Sequence, residues 1–337
     1  MTLRELYQEG AAALRQYGVP DAELDARLLL LDAFEMSTAE YLGAEGKELS
    51  SLYEQQEYGQ RVAQYESLLN ERASRRPLQQ ILGSTQFMGL EFAVNENVLI
   101  PRQDTETLVE TVLADFPQKD IRVLDMCTGS GCIAISLFVL GGYDEVVGAD
   151  LSREALYVAK ENGERLSQEA KEREGAAEQG FFDRLFGRQS ARSDSEYEQK
   201  LHFVQTDLFR GMPEALETLG FEQFDVIVSN PPYIRSADIE GLAPEVRDFE
   251  PRMALDGSED GLHFYRRIAK EAKPYLREGG ALYLEIGADE GQAVRDILKD
   301  AGFVKIDIVK DLPGKDRVVR AHRRHAAHAG APKARSN

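Results

Sequence analysis

The sequence is poor in cysteine, in basic charge and in long apolar runs, and each shortage excludes something. Cys127 and Cys132 are the only two cysteines. With no histidine pair beside them, they cannot build a disulfide scaffold and have the wrong composition for a zinc site. Both are expected to be reduced thiols, and no metal is expected. Lys and Arg number 40 against 59 Asp and Glu, a formal net charge of −19. Such a field repels a long polyanion, so no direct nucleic-acid binding is expected. No apolar run approaches the ~18 residues that span a bilayer. The N-terminus, MTLRELYQEG, has neither the apolar stretch nor the small-residue cleavage site of a secretory signal. A cytoplasmic protein without a membrane partner is expected. What remains is an ordinary globular composition, 42% apolar and 29% charged over 337 residues, about twice the usual domain size.

The first part of the chain has no strand-like run. Its apolar residues recur at helical spacing, as at Leu24, Leu28 and Leu31, which predicts a small helical domain over 1–83. Pro20 and Asp21 mark a helix start, and Pro77 is expected to close the last of these helices because it has no N–H and a fixed φ. Over 84–101 the period falls to two, with Gly89 at the turn, predicting a β-hairpin linker. A helix with Leu108, Val112 and Phe116 on one side opens the region 102–321. There the runs IRVLD, EVVGAD, LHFVQ, FDVIVSN and ALYLEIG alternate with stretches long enough for crossover helices. That is the pattern of an α/β fold with a mostly parallel sheet covered on both faces. Two last runs, joined at Pro313 and Gly314, predict a C-terminal antiparallel hairpin. Residues from about 163 to 200 are charged and small and read as a partly disordered insertion. Within it Phe181, Phe182, Leu185 and Phe186 form an apolar island, suited to a short docked helix or to a partner contact. The segment 322–337 reads as a flexible basic tail, and no ordered element gathers its histidines for a metal.

In VLDMCTGSGCIAISL a strand ending at Asp125 runs into a turn and then a helix. Gly129 and Gly131 let the backbone pass close to a ligand, and the helix N-terminus presents unpaired N–H groups. A tight turn with no ligand would read the same way. The dinucleotide fingerprint is not matched, because Ile133 and Ala134 stand where its third glycine falls, which removes a nicotinamide oxidoreductase. Asp150 ends the next strand, where a carboxylate can accept both hydroxyls of a ribose. The alternative is a helix cap, a role that Ser152 can fill. Glycine turn and Asp150 together favour an adenosine-containing cofactor, with Asp207 placed to meet the adenine amino group and Leu208 to pack on its ring.

The most specific feature is Asn230-Pro231-Pro232-Tyr233, directly after the strand FDVIVS. Two prolines without N–H donors leave the carbonyls of Asn230 and Pro231 available as acceptors. An Asn oxygen and a neighbouring carbonyl accept both hydrogens of a planar NH₂ group, while Tyr233 stacks on its face. This is a clamp for an amide or an exocyclic amine.

On these motifs the chain resembles the class I S-adenosylmethionine-dependent methyltransferases, with their Rossmann-like sheet. Within them it resembles the protein-(glutamine-N5) methyltransferases that modify class I peptide chain release factors. The likeness runs through LIPRQDTE, VLDMCTGSG, VSNPPYI, FEPRMALDGSEDGLHFYRRI, LYLEIG and KDLPGKDRVV. It implies that Cys127, Thr128, Gly129, Ser130 and Gly131 hold the methionine part of S-adenosylmethionine, Asp150 the ribose, and Asp207 and Leu208 the adenine, with Asn230 bordering the methyl donor. Asn230, Pro231, Pro232 and Tyr233 would hold the glutamine of a release factor's Gly-Gly-Gln motif, and Asn230, Pro231 and Tyr233 would carry the catalysis. Such a reaction modulates translation termination and leaves S-adenosylhomocysteine. Arg102 and Glu250 either orient the wall that receives the factor or form an interface ion pair. Cys127 departs from the family's usual glycine, which is acceptable only at negative φ, and Leu208 from a common tryptophan. One rival is an N6-adenine methyltransferase acting on DNA or RNA, since the same clamp fits a flipped-out amine; it lacks a basic groove here. A scaffold that keeps the fold without the activity is another.

Overall fold

The computed structural model describes residues 1–186 and 200–325, the backbone alone over 173–186. Six helices precede residue 84: α1 (Leu3–Gln16), α2 (Ala22–Ala33), α3 (Thr38–Ala44), α4 (Leu49–Leu52), α5 (Gln55–Ala73) and α6 (Leu78–Leu82). Thr2 starts α1 with a capping box, its hydroxyl accepting the Glu5 N–H while the Glu5 carboxylate accepts that of Thr2. The buried face of α2 is not that of Leu24, Leu28 and Leu31. It is Ala22, Asp25, Ala26, Leu29, Leu30 and Ala33, and Leu24 is exposed. Four consecutive leucines blur the helical period, and polar contacts choose the face. Tyr65 donates its hydroxyl to the Ala26 carbonyl at 3.2 Å, and Arg72 Nε donates to Asp25 Oδ2 at 2.7 Å. Pro77 closes no helix. α5 has ended at Ala73, Arg75 takes a left-handed φ of 73°, and Pro77 stands at the start of α6, where a missing N–H costs nothing.

β1 (Ser84–Phe87) and β2 (Leu90–Ala93) form the antiparallel hairpin that the alternation predicts. Met88 and Gly89 both have positive φ, 52° and 73°, the turn geometry that matches strand twist. After α7 (Gln103–Asp115), which buries Leu108 and Val112 and half-buries Phe116, come β3 (Arg122–Met126), α8 (Cys132–Gly141), β4 (Glu145–Asp150), α9 (Arg153–Phe186) and β5 (Lys200–Gln205). The chain continues through α10 (Met212–Leu219), β6 (Phe224–Ser229), the short α11 (Pro244–Arg247) and α12 (Arg252–Leu255), α13 (His263–Glu271), β7 (Leu276–Glu285), α14 (Gly291–Asp300), β8 (Val304–Lys310) and β9 (Asp316–His322). Seven strands form one sheet in the order β5-β4-β3-β6-β7-β9-β8. Its first five members are parallel, and β9 and β8 add the antiparallel hairpin.

The order places the site. From β3 the chain winds outward through β4 and β5, then returns to the other side of β3 at β6. Loops leaving β3 and β6 therefore diverge and open a crevice at their carboxyl ends. The crossover helix α9 runs unbroken to Phe186, so the expected partly disordered insertion is helical over 163–186, a charged composition being compatible with a helix as well as with a coil. The side chains of Phe181, Phe182, Leu185 and Phe186, residues 187–199 and the tail beyond residue 325 lie outside the described residues.

Two groups of contacts join the N-terminal helices to the segment after β6. Arg75 donates from Nε and Nη2 to the two Glu245 oxygens, each at 2.7 Å, and the buried Arg72 adds 3.0 Å from Nη2. Gln80 donates to the Phe249 carbonyl at 3.0 Å. Among the described residues, no helix is long and apolar enough to cross a membrane.

Candidate active site

The crevice holds a cavity of about 240 Å³. Its walls include Cys127, Thr128, Gly129, Ser130, Asp150, Asp207, Leu208, Asn230 and Pro232, together with Thr105 and Arg102. Three predicted residues, Gly131, Pro231 and Tyr233, do not line it. The Tyr233 backbone packs so closely on Gly257 that a Cβ there would lie 2.7 Å from the Tyr233 Cα, and the ring belongs to the central core. Gly131 is also less a ligand contact than a packing site. A Cβ on it would meet Ile135 Cδ1 at 2.8 Å and Ala159 Cβ at 3.2 Å, so its absence lets α8 and α9 meet.

The turn from β3 to α8 is a run of left-handed residues. Cys127, Gly129 and Gly131 have φ of 63°, 56° and 82°. The condition of a negative φ at Cys127 is thus not met, and the cysteine holds a conformation that costs a residue with a Cβ about 1–2 kcal/mol. The loop stands because its polar groups are tied down. Thr128 donates its N–H to Ala149 O at 3.0 Å and its hydroxyl to Asp125 Oδ2 at 2.6 Å. The same Asp125 oxygen accepts the Ala134 N–H at 3.1 Å, so the first turn of α8 is not wholly unpaired, as the sequence led one to expect. Asp125 is fully buried, and burial pushes its carboxyl up to about 7. Both cysteines are free. Burial raises the Cys127 thiol and pushes the Cys132 thiol up to about 12, which keeps them protonated and unreactive.

Asp150 closes β4 with both oxygens turned to backbone donors. Oδ2 accepts the Gly129 N–H and Oδ1 the Ser152 N–H, each at 2.9 Å. Ser152 caps α9 by accepting the Ala155 N–H at 3.1 Å, so Asp150 is released from that duty. Burial raises the Asp150 carboxyl against those bonds. Asp207 has its Oδ1 engaged by Arg267 at 2.8 Å. Leu208 is buried and left-handed, φ 50°, pinned by the Thr206 hydroxyl, which donates to its carbonyl at 2.8 Å. A carboxylate at the end of β4, a glycine turn open to the cavity at Gly129 and an apolar Leu208 wall fit an adenosine-bearing ligand.

Asn230 begins where β6 ends. Its Nδ2 donates to Thr105 Oγ1 of α7 at 3.4 Å, and the Glu285 carboxylate, at the end of β7, lies beside both side chains, whose polar groups favour its charged form. With the NH₂ end directed at these acceptors, the amide oxygen of Asn230 remains for the cavity. Glu285 is buried, and desolvation pushes it up to about 7 against the Arg317 charge and those bonds. Thr105, Asp125 and Glu285 had no role in the sequence reading. The signal available was an acid inside an otherwise apolar strand, in VLDM and LYLEIG. Arg102 and Glu250 meet each other, Nη2 reaching the two carboxylate oxygens at 2.7 and 2.8 Å, as an interface ion pair would.

The family model described as PrmC N-terminal domain matches residues 5–83. Models for the ribosomal protein L11 methyltransferase and the Eco57I restriction-modification methylase match 104–180 and 144–260. A release factor glutamine methyltransferase of Geobacter sulfurreducens is 36% identical over 94% of this chain and 95% of its own. Another, from Clostridium acetobutylicum, is 38% identical over 78% and 80%. A solved protein-(glutamine-N5) methyltransferase from Alicyclobacillus acidocaldarius aligns with a TM-score of 0.34 and 24% identity over 69% of this chain and 99% of that one.

Proposed function

The chain belongs to the release factor glutamine methyltransferase family, and from that premise we propose that it transfers a methyl group from S-adenosylmethionine to the side-chain nitrogen of a release factor glutamine. The observation that carries the reading is Asn230, its NH₂ end donating to Thr105 with the Glu285 carboxylate close by, beside the cavity bounded by Asp150. When bound there, S-adenosylmethionine supplies an electrophilic methyl group on a sulfonium, so the protein need not provide a nucleophile. Cys127, Thr128, Gly129 and Ser130 would line the methionine end, with Gly131 packing behind them; Asp150 would take the ribose hydroxyls, and Asp207 and Leu208 would face the adenine.

An amide nitrogen is a weak nucleophile because its lone pair is delocalised, and no side chain can remove its proton beforehand. The chain therefore acts by positioning. The Asn230 oxygen accepts one N–H bond of the glutamine and the Pro231 carbonyl, which lies outside the cavity's walls, accepts the other from the side on which the glutamine would enter; its lone pair is thereby turned toward the methyl group, and the proton leaves after transfer. Pro231 and Pro232 fix that carbonyl rigidly. Tyr233, behind the cavity, buttresses the turn.

A second reading, an adenine amine as acceptor, draws on the Eco57I match; the net charge of −19 opposes it. The test is transfer of labelled methyl to a purified class I release factor, to the same factor with its Gly-Gly-Gln glutamine replaced, and to duplex DNA. Label on the intact factor alone is the expected result. Label on DNA, or on neither, sinks the proposal.

A further inference from the structure

Resting on that reading, we propose that Glu285 is a positioning residue for the methyl acceptor. Through the Asn230 amide and the Thr105 hydroxyl, its carboxylate holds the Asn230 oxygen toward the glutamine. No part of the transfer requires a second acid behind the clamp, yet the fold buries one there. Glu285 is 1% exposed, directly after the apolar run Ala281–Leu284 of β7, and among the described residues its Oε2 has no hydrogen-bond partner. An unpaired buried carboxylate oxygen is costly, and what it faces explains its presence.

Asn230 carries an NH₂ and an oxygen on one plane, and either can point into the cavity. If the NH₂ did so, it would meet the NH₂ of the glutamine, donor against donor. A carboxylate behind Asn230 removes the choice, because it can only accept. Thr105 works in the same sense: its Oγ1 accepts from Asn230 Nδ2 at 3.4 Å, which leaves its hydroxyl hydrogen free to turn to the neighbouring Glu285 carboxylate, whose charge it favours. Three elements that meet only in the folded sheet supply this chain, β6 through Asn230, α7 through Thr105 and β7 through Glu285. The Glu285 backbone is anchored as well, its carbonyl accepting the Tyr265 hydroxyl at 3.0 Å.

Protonation would spoil the arrangement, since a carboxylic acid offers an O–H to a neighbour that must itself donate. The groups facing Glu285 from the surrounding elements are Arg317 of β9, Asp104 of α7, Tyr233, Tyr265 of α13 and Cys132 of α8. Arg317 favours the carboxylate and Asp104 opposes it, with burial dominating. The carboxyl is pushed up to about 7. Its ionised, acceptor-only form is therefore lost as pH falls through neutrality.

The experiment compares wild type, Glu285→Gln, Thr105→Val and Thr105→Ser in methyl transfer to the release factor, from about pH 5.5 to 9, with cofactor affinity measured alongside and folding checked by thermal melts. A glutamine carries no charge to attract Arg317 and can turn its own NH₂ toward the Asn230–Thr105 pair. Glu285→Gln is expected to lower kcat about tenfold or more at pH 8, with KM for the factor and cofactor affinity within about twofold. The acid limb of the wild-type kcat profile near neutrality should vanish in this variant. Thr105→Val should lower kcat in the same manner, and Thr105→Ser, which keeps the hydroxyl, should restore it. Wild-type kcat in Glu285→Gln would overturn the proposal. So would an acid limb that persists there, which would assign it to Asp125, or equal rates for the valine and serine variants. A wild type that does not methylate the factor at all sinks the functional reading itself, and the inference with it.

Discussion

The two walls of the cavity are built from opposite materials. The wall at the end of β3 is made of main chain: left-handed Cys127, Gly129 and Gly131 and N–H groups tied to Asp125 and Asp150. The wall at the end of β6 rests on one amide side chain, Asn230, stiffened by prolines and supported from α7 and β7. Each has a buried acid behind it pushed up to about 7, Asp125 in one case and Glu285 in the other. Asp125 orders backbone donors and Glu285 orders a side chain. On the proposed reading, function on the first wall would be spread over many weak contacts, and on the second it would be concentrated in one.

Removing that concentrated group gives the largest expected effect. Asn230→Ala should lower kcat about 10²–10³-fold while leaving S-adenosylmethionine affinity within about threefold. Equal losses in both would break the contrast between the walls. Next comes Asp125. Its ordinary carboxyl value is 3.8 and its folded value about 7, so the protonated form is favoured by folding. Stability from this group is full below about pH 4 and declines as pH rises toward 7, at about 1.4 kcal/mol per unit. Asp125→Asn removes that decline. Urea titrations of wild type and variant at pH 5 and pH 7 should differ more at the higher pH, by a few kcal/mol; a gap independent of pH would show that Asp125 is not held protonated. Asp150→Ala should be milder, weakening cofactor binding about tenfold in calorimetry with little change in kcat, because Gly129 and Ser152 N–H groups would turn to water. A large fall in kcat with affinity intact would move Asp150 from binding to catalysis.

Much of this was legible from local pattern. The parallel strands of the main sheet follow from short apolar runs alternating with helical stretches, the hairpin at Gly89 from a period-two run, and the antiparallel ending at Gly314 from two runs joined by a turn. The misreadings have local causes too. Four successive leucines hid which face of α2 is buried, and the choice lay with Tyr65 and Arg72, far along the chain. The charged stretch after Asn162 carried no apolar stripe to announce a helix. In the site, Asp150 and the Asn230 motif stand out because their chemistry is written in adjacent residues. Thr105 and Glu285 do not, since each acquires meaning only when α7 and β7 close around β6. Positive φ at Cys127 was also out of reach, because a residue type does not report the dihedral that its neighbours impose.

Cys127 offers the smallest and most discriminating test of the main-chain wall. Its φ of 63° costs about 1 kcal/mol that glycine would not incur, but glycine also widens the unfolded ensemble by a similar amount and forfeits the packing of the thiol on the central core. These contributions nearly cancel, so Cys127→Gly should alter unfolding free energy by less than about 1 kcal/mol. Cys127→Val keeps the bulk and adds β-branching, which a left-handed residue tolerates worst, and should destabilise by about 2 kcal/mol. The gap between the two variants in denaturant unfolding measures the strain directly, without reference to wild type. If valine and glycine prove equally stable, the turn relaxes to negative φ at no cost, and the difference between a strained wall and a rigid one disappears.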